Sequence, residues 1–125
     1  MIVRSAVCRV LPFLCVFWLQ SSAWADELRV VETSPTDHQV IQGQLNSFYV
    51  RFDRPVDHIW SRLKIERDGK VIETLHPRFE AEPEVLYAAS PTLAPGAYRL
   101  RWSVRSLEKT DLEDGSISFT IAPKQ

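Results

Sequence analysis

Cysteine is confined to positions 8 and 15 and methionine to position 1, so nothing after Cys15 can form a disulfide, act as a thiol nucleophile or offer a sulfur ligand. Basic charge is not in excess either. Fifteen Lys and Arg stand against sixteen Asp and Glu, which leaves no field to draw a nucleic-acid backbone. The main apolar run, from Val10 to Leu19, falls short of the roughly 20 residues that cross a bilayer. The three histidines, His38, His58 and His76, lack the short spacings of local zinc or copper motifs. No serine sits in a nucleophile-elbow context, and about 100 residues of domain leave little room for a glycosidase cleft with two fixed acids. An enzyme is not expected.

What is present begins with an export signal. Arg4 and Arg9 precede the apolar run, and Ala23-Trp24-Ala25 supplies an A-x-A cleavage site. Residues 1–25 are therefore expected to be a cleaved signal peptide, and residues 26–125 a single domain exported to an oxidising extracytoplasmic space. Lipidation at Cys15 is not expected, because bulky Phe13 and Leu14 occupy the positions before it. Loss of Arg4 and Arg9 leaves 13 bases against 16 acids, a formal charge of −3. With both cysteines removed, the domain must fold on core packing alone.

Period-two alternation dominates the remainder. In Tyr98-Arg99-Leu100-Arg101-Trp102-Ser103-Val104-Arg105 the even positions are apolar and the odd ones polar; Phe48, Val50 and Phe52 repeat the pattern, as do Ile117, Phe119 and Ile121. Such strands cover a core on one face and meet water on the other, as in antiparallel sheets. Turn signals at Ser34-Pro35-Thr36-Asp37, Asp53-Arg54-Pro55, Asp68-Gly69, Ala94-Pro95-Gly96 and Asp114-Gly115 divide the chain. Asp68-Gly69 is the strongest hairpin signal. Strands are expected near 28–33, 38–41 (weak), 46–53, 61–67, 70–76, 84–88, 97–105 and 116–122. Residues 56–63 carry too few apolar positions for a buried helical face, so a single turn is expected there. The fold class is all-β: an immunoglobulin-like Greek-key sandwich or barrel of seven or eight antiparallel strands. Its core would draw on Val30, Leu45, Phe48, Val50, Phe52, Leu63, Ile65, Tyr98, Leu100, Trp102, Val104, Ile117, Phe119 and Ile121.

Two local features have chemical potential. Asp57 stands beside His58 and could orient its ring, making His58 the best individual ligand. The acidic run Glu108, Asp111, Glu113, Asp114 does not reproduce the regular ligand spacing of a twelve-residue calcium loop. It reads as a solvated loop, a weak cation site or a docking surface for a basic partner. Glu80, Glu82 and Glu84 read as a charged loop edge.

The order of motifs resembles that of the CopC-type periplasmic copper-binding domains. The resemblance rests on Ser34-Pro35, Phe48-x-Val50-x-Phe52 followed by Pro55-Val56, Leu93-x-Pro95-Gly96-x-Tyr98-x-Leu100-x-Trp102-x-x-x-Ser106, and Gly115-x-Ile117-x-Phe119-x-Ile121. It implies a small Greek-key sandwich tied to copper resistance or uptake. It also implies a Cu(II) site built from an N-terminal histidine, an aspartate and a second histidine beyond the long strand's terminal serine. Here cleavage would expose Asp26 in place of the first histidine, Glu108 replaces the aspartate and Thr110 the second histidine. The metal-site candidates are therefore Asp26, Glu108 and His58, with Cu(II) as the ion. Losing two imidazoles removes most of the selectivity of such a site. The functional expectation is a copper-homeostasis protein that acts as a carrier or as an accessory to a copper-transport membrane protein. The alternative is a periplasmic interaction module without metal, using Arg99, Arg101 and Arg105 or the acidic loop.

Overall fold

The computed structural model describes residues 27–78 and 82–123. The expected signal peptide and Asp26 lie outside the described residues.

Eight strands form close to the expected positions, except that Asp114-Gly115, expected as a turn before the last strand, lies inside it and pairs with Ser103 and Trp102. They are β1 (Val30–Ser34), β2 (Gln39–Ile41), β3 (Ser47–Phe52), β4 (Arg62–Arg67), β5 (Lys70–Leu75), β6 (Val85–Ala89), β7 (Gly96–Val104) and β8 (Glu113–Ile121). They pack as two layers, a three-stranded sheet ordered β1-β3-β6 and a five-stranded sheet ordered β2-β8-β7-β4-β5. The all-β sandwich expected from the sequence is the observed fold.

Apolar positions face inward from both layers. Phe48, Val50, Phe52, Leu86 and Ala88 of the smaller sheet meet Leu63, Ile65, Tyr98, Leu100, Trp102, Val104, Ile117, Phe119 and Ile121 of the larger. Phe119 lies between Phe48 and Tyr98, with ring centroids 5.5 Å from each. Leu45 is half-buried against this cluster. Val30 departs from expectation and is exposed, because β1 is an edge strand whose register shifts between Val30 and Glu32. Val56, Leu75 and Ile41 join the core instead.

Two local devices fix the registers. At Asp68-Gly69 both residues take positive φ, 53° and 77°, which a two-residue type I′ hairpin turn requires. Arg67 accordingly faces Lys70 across β4 and β5. On β7 and β8, Trp102 stands directly opposite Gly115. A Cβ on Gly115 would fall 2.4 Å from the indole, so the ring occupies the space that a side chain would fill.

One pairing differs from the antiparallel expectation, since β2 runs parallel to β8. The 34–37 turn carries the chain from one sheet to the other rather than back along its own, so no hairpin imposes a direction. Asp37 accepts the Ser118 N–H at 2.9 Å, and the His38 N–H donates to the Ser118 carbonyl at 2.7 Å. These two bonds start the parallel register.

Candidate functional site

Two loops meet at one end of the sandwich. The first, residues 53–61, joins β3 to β4; the second, residues 105–112, joins β7 to β8. Val56 and Ser106 form an isolated antiparallel bridge. The Asp57 N–H donates to the Arg105 carbonyl at 2.9 Å, and the Arg105 N–H donates to Ser61 Oγ at 3.3 Å. The chain's first described residues reach the same place, because the Leu28 N–H donates to Glu113 Oε2 at 3.1 Å.

Asp57 organises the first loop. Its Oδ1 accepts the N–H groups of Ile59 at 2.8 Å and Trp60 at 3.1 Å, which closes the single turn expected over this stretch. Its Oδ2 accepts from both Nε and Nη2 of Arg105, at 3.0 and 2.9 Å. The guanidinium then lies 5.3 Å from the Trp60 ring centroid. Partial burial opposes ionisation of the Asp57 carboxyl, but the Trp60 amide, the Arg105 guanidinium and the Ile59 amide together outweigh it and hold the carboxyl below its usual range.

This arrangement changes the reading of His58. Asp57 spends its carboxylate on two amides and on Arg105, so it does not orient the neighbouring ring. His58 Nε2 instead sits 2.7 Å from the Val85 carbonyl. A carbonyl only accepts, so Nε2 makes this contact as an N–H donor, which leaves Nδ1 as the ring nitrogen a ligand could use. Glu108 and Thr110 are exposed on the second loop, where the resemblance places the ligand positions. The fold therefore puts the loops of His58 and Glu108 at one end. It does not gather side chains into a coordination sphere: among the described residues no three of His, Cys, Asp and Glu lie close enough to share an ion. His38 is exposed beside Asp37, at 3.4 Å, and His76 is exposed after β5.

Sequence reasoning missed the Asp57–Arg105–Trp60 unit. Arg105 reads as a further outward arginine of the long strand, and no local signal ties it to an acid 48 positions away. Glu84 also differs from a solvated loop edge, because its Oε2 is shielded and finds no hydrogen-bond partner among the described residues. Glu82 pairs with Arg51.

At the far end, an apolar cavity of about 250 Å³ opens between Leu45, Leu93, Pro95 and Ile121. It contains no titratable side chain and so offers no chemistry of its own. No helix among the described residues is long and apolar enough to cross a membrane.

Comparison with known proteins places this geometry. The chain is similar to CopC from Methylosinus trichosporium OB3b, with a TM-score of 0.72 and 24% identity over 79% of this chain and 97% of that one. It is also similar to PcoC, a methionine-rich copper resistance protein from Escherichia coli, with a TM-score of 0.60 and 16% identity over 76% of this chain and 98% of that one. A search of curated proteins finds no match. The CopC domain profile matches residues 30–122, nearly all of the described sandwich, and the chain belongs to the CopC domain family.

Proposed function

We propose that this chain is a periplasmic copper-homeostasis protein that carries Cu(II), or serves as accessory to a copper-transport membrane protein, and performs no covalent chemistry. The observation that supports this most is the family match across residues 30–122, with the ligand-position loop held at the end where the chain's first described residues arrive. The donors available fit an oxygen-rich Cu(II) site. They are the amine and carboxylate of Asp26 after cleavage, the Glu108 carboxylate and His58 Nδ1. They do not fit a thioether Cu(I) site, because Met1 is the only methionine.

Calorimetric titration of the exported protein with Cu(II) tests this reading. Saturable binding at micromolar metal is expected, together with a loss of about tenfold or more in affinity in a His58→Ala, Glu108→Gln variant. His76→Ala is expected to leave binding unchanged. Absence of saturable binding would overturn the carrier role. Unchanged affinity in the double variant would overturn the assignment of those two residues. A second reading, an interaction module without metal, draws support from the well-anchored and exposed Trp60.

A further inference from the structure

The end of the sandwich that bears Asp57 and Arg105 also concentrates large apolar side chains in water. Ile59 is 62% exposed, Trp60 60%, Leu107 66% and Leu112 52%. Scattered exposed apolar residues are ordinary, and those elsewhere on this protein, Val30, Val31, Val40, Val71 and Ile72, lie on strands at sheet edges. The four at this end instead lie on two loops that are fastened together.

The contacts between the loops are specific. The Val56–Ser106 bridge, the Asp57 N–H to Arg105 carbonyl bond and the paired Arg105–Asp57 contact span the two loops. Asp57 also fixes the backbone of Ile59 and Trp60, and Arg105 holds the indole from one side. An exposed tryptophan held in place before binding loses little conformational entropy on contact, the property that makes aromatic residues the energetic centres of interfaces.

Charge selects the occupant. The second loop and the start of β8 carry Glu108, Asp111, Glu113 and Asp114 against Arg105 and Lys109, and Arg105 is already paired with Asp57. Among the described residues, Glu108, Asp111 and Asp114 form no ion pair and no side-chain hydrogen bond. Unpaired carboxylates beside an apolar centre repel anionic lipid headgroups and acidic surfaces and attract a basic partner.

We propose that this end of the molecule is a docking surface for a cationic amphipathic segment of a partner protein. Trp60, Ile59 and Leu107 receive its apolar face, and Glu108, Asp111 and Asp114 receive its basic residues. The proposal goes beyond the copper reading and stands whether or not a metal is bound.

The emission of Trp60 is the direct readout, because Trp102 is already buried. The exported protein, treated with chelator, is titrated with a synthetic Leu/Lys amphipathic peptide, with the same peptide carrying Glu for Lys, and with vesicles of neutral or anionic phospholipid. The expected result is a saturable blue shift with the Leu/Lys peptide that weakens as salt rises and vanishes in Trp60→Phe. Ile59→Ser with Leu107→Ser is expected to lower that affinity about tenfold or more. Asp111→Asn with Asp114→Asn is expected to lower it several-fold and to flatten its salt dependence. An equal response to the Glu peptide, a response to vesicles alone, or no response to the Leu/Lys peptide would overturn the proposal. So would a blue shift that depends on protein concentration and tracks dimer formation by sedimentation, since the occupant would then be a second copy.

Discussion

Asp57 is the side chain on which the most contacts depend, with two amide donors on one oxygen and a guanidinium on the other. Asp57→Ala removes the cap of the turn and leaves Arg105 without its acid, so a loss of about 2 kcal/mol in urea unfolding at neutral pH is expected. The pH dependence has a definite sign. The folded carboxyl titrates below its unfolded value of about 3.9, so its contribution is complete above that value and disappears as pH falls through the lower, folded one. The stability gap between wild type and Asp57→Ala should therefore be constant from neutrality to about pH 5 and should shrink below about pH 4. Gly115 offers a second test, because a methyl there must displace the Trp102 ring. Gly115→Ala is expected to cost about 1–3 kcal/mol, read as a lower Tm with altered Trp102 emission. Of these two residues, Gly115 stands out in the sequence, but as a turn before the last strand, whereas it lies within β8, where the Trp102 ring takes the space of its missing side chain. The partnership of Asp57 with Arg105 is not visible there, because it depends on two loops meeting through topology. Adjacency in sequence pointed to His58 instead.

At the level of strands, alternation was sufficient. β3 throughout, β7 from Tyr98 and β8 from Ile117 bury every second residue, and the pattern written in Phe48-Val50-Phe52 or Tyr98-Leu100-Trp102-Val104 is the pattern buried. Edge strands were harder to read. β1 keeps apolar valines that face water, and β5 is exposed at five of its six positions, because a strand flanked on one side only has less core to cover. The direction of β2 was also hidden, since three residues carry no information about which neighbour they join. The β4–β5 turn makes a specific prediction. Gly69→Ala places a Cβ in a left-handed conformation and should cost about 1 kcal/mol in thermal unfolding. Asp68→Asn should be tolerated, because Asn-Gly suits the same turn.

Among the described residues, which contain no cysteine, the core accounts for cohesion without any covalent tie. If residues 1–25 are removed on export, both cysteines leave with them. The Tm of the exported protein should then be the same with and without a thiol reductant. A decrease on reduction would mean that Cys8 and Cys15 are retained and bridged. The family was legible because its signature lies in the long strand and the one after it. The ligand set that the resemblance implies was not, because Glu108 and Thr110 stand where it expects an aspartate and a histidine, and Asp26 lies outside the described residues.

The order of synthesis gives the position of β8 a further meaning. This strand is the last of the eight to be made, yet it sits inside the larger sheet with β7 on one side and β2, the second strand in chain order, on the other. A nascent polypeptide lacking β8 has neither the link between β2 and β7 nor Phe119 to pack against Phe48 and Tyr98. Premature collapse is thereby disfavoured until β8 has been made, so the sandwich completes itself only when its last strand is in place.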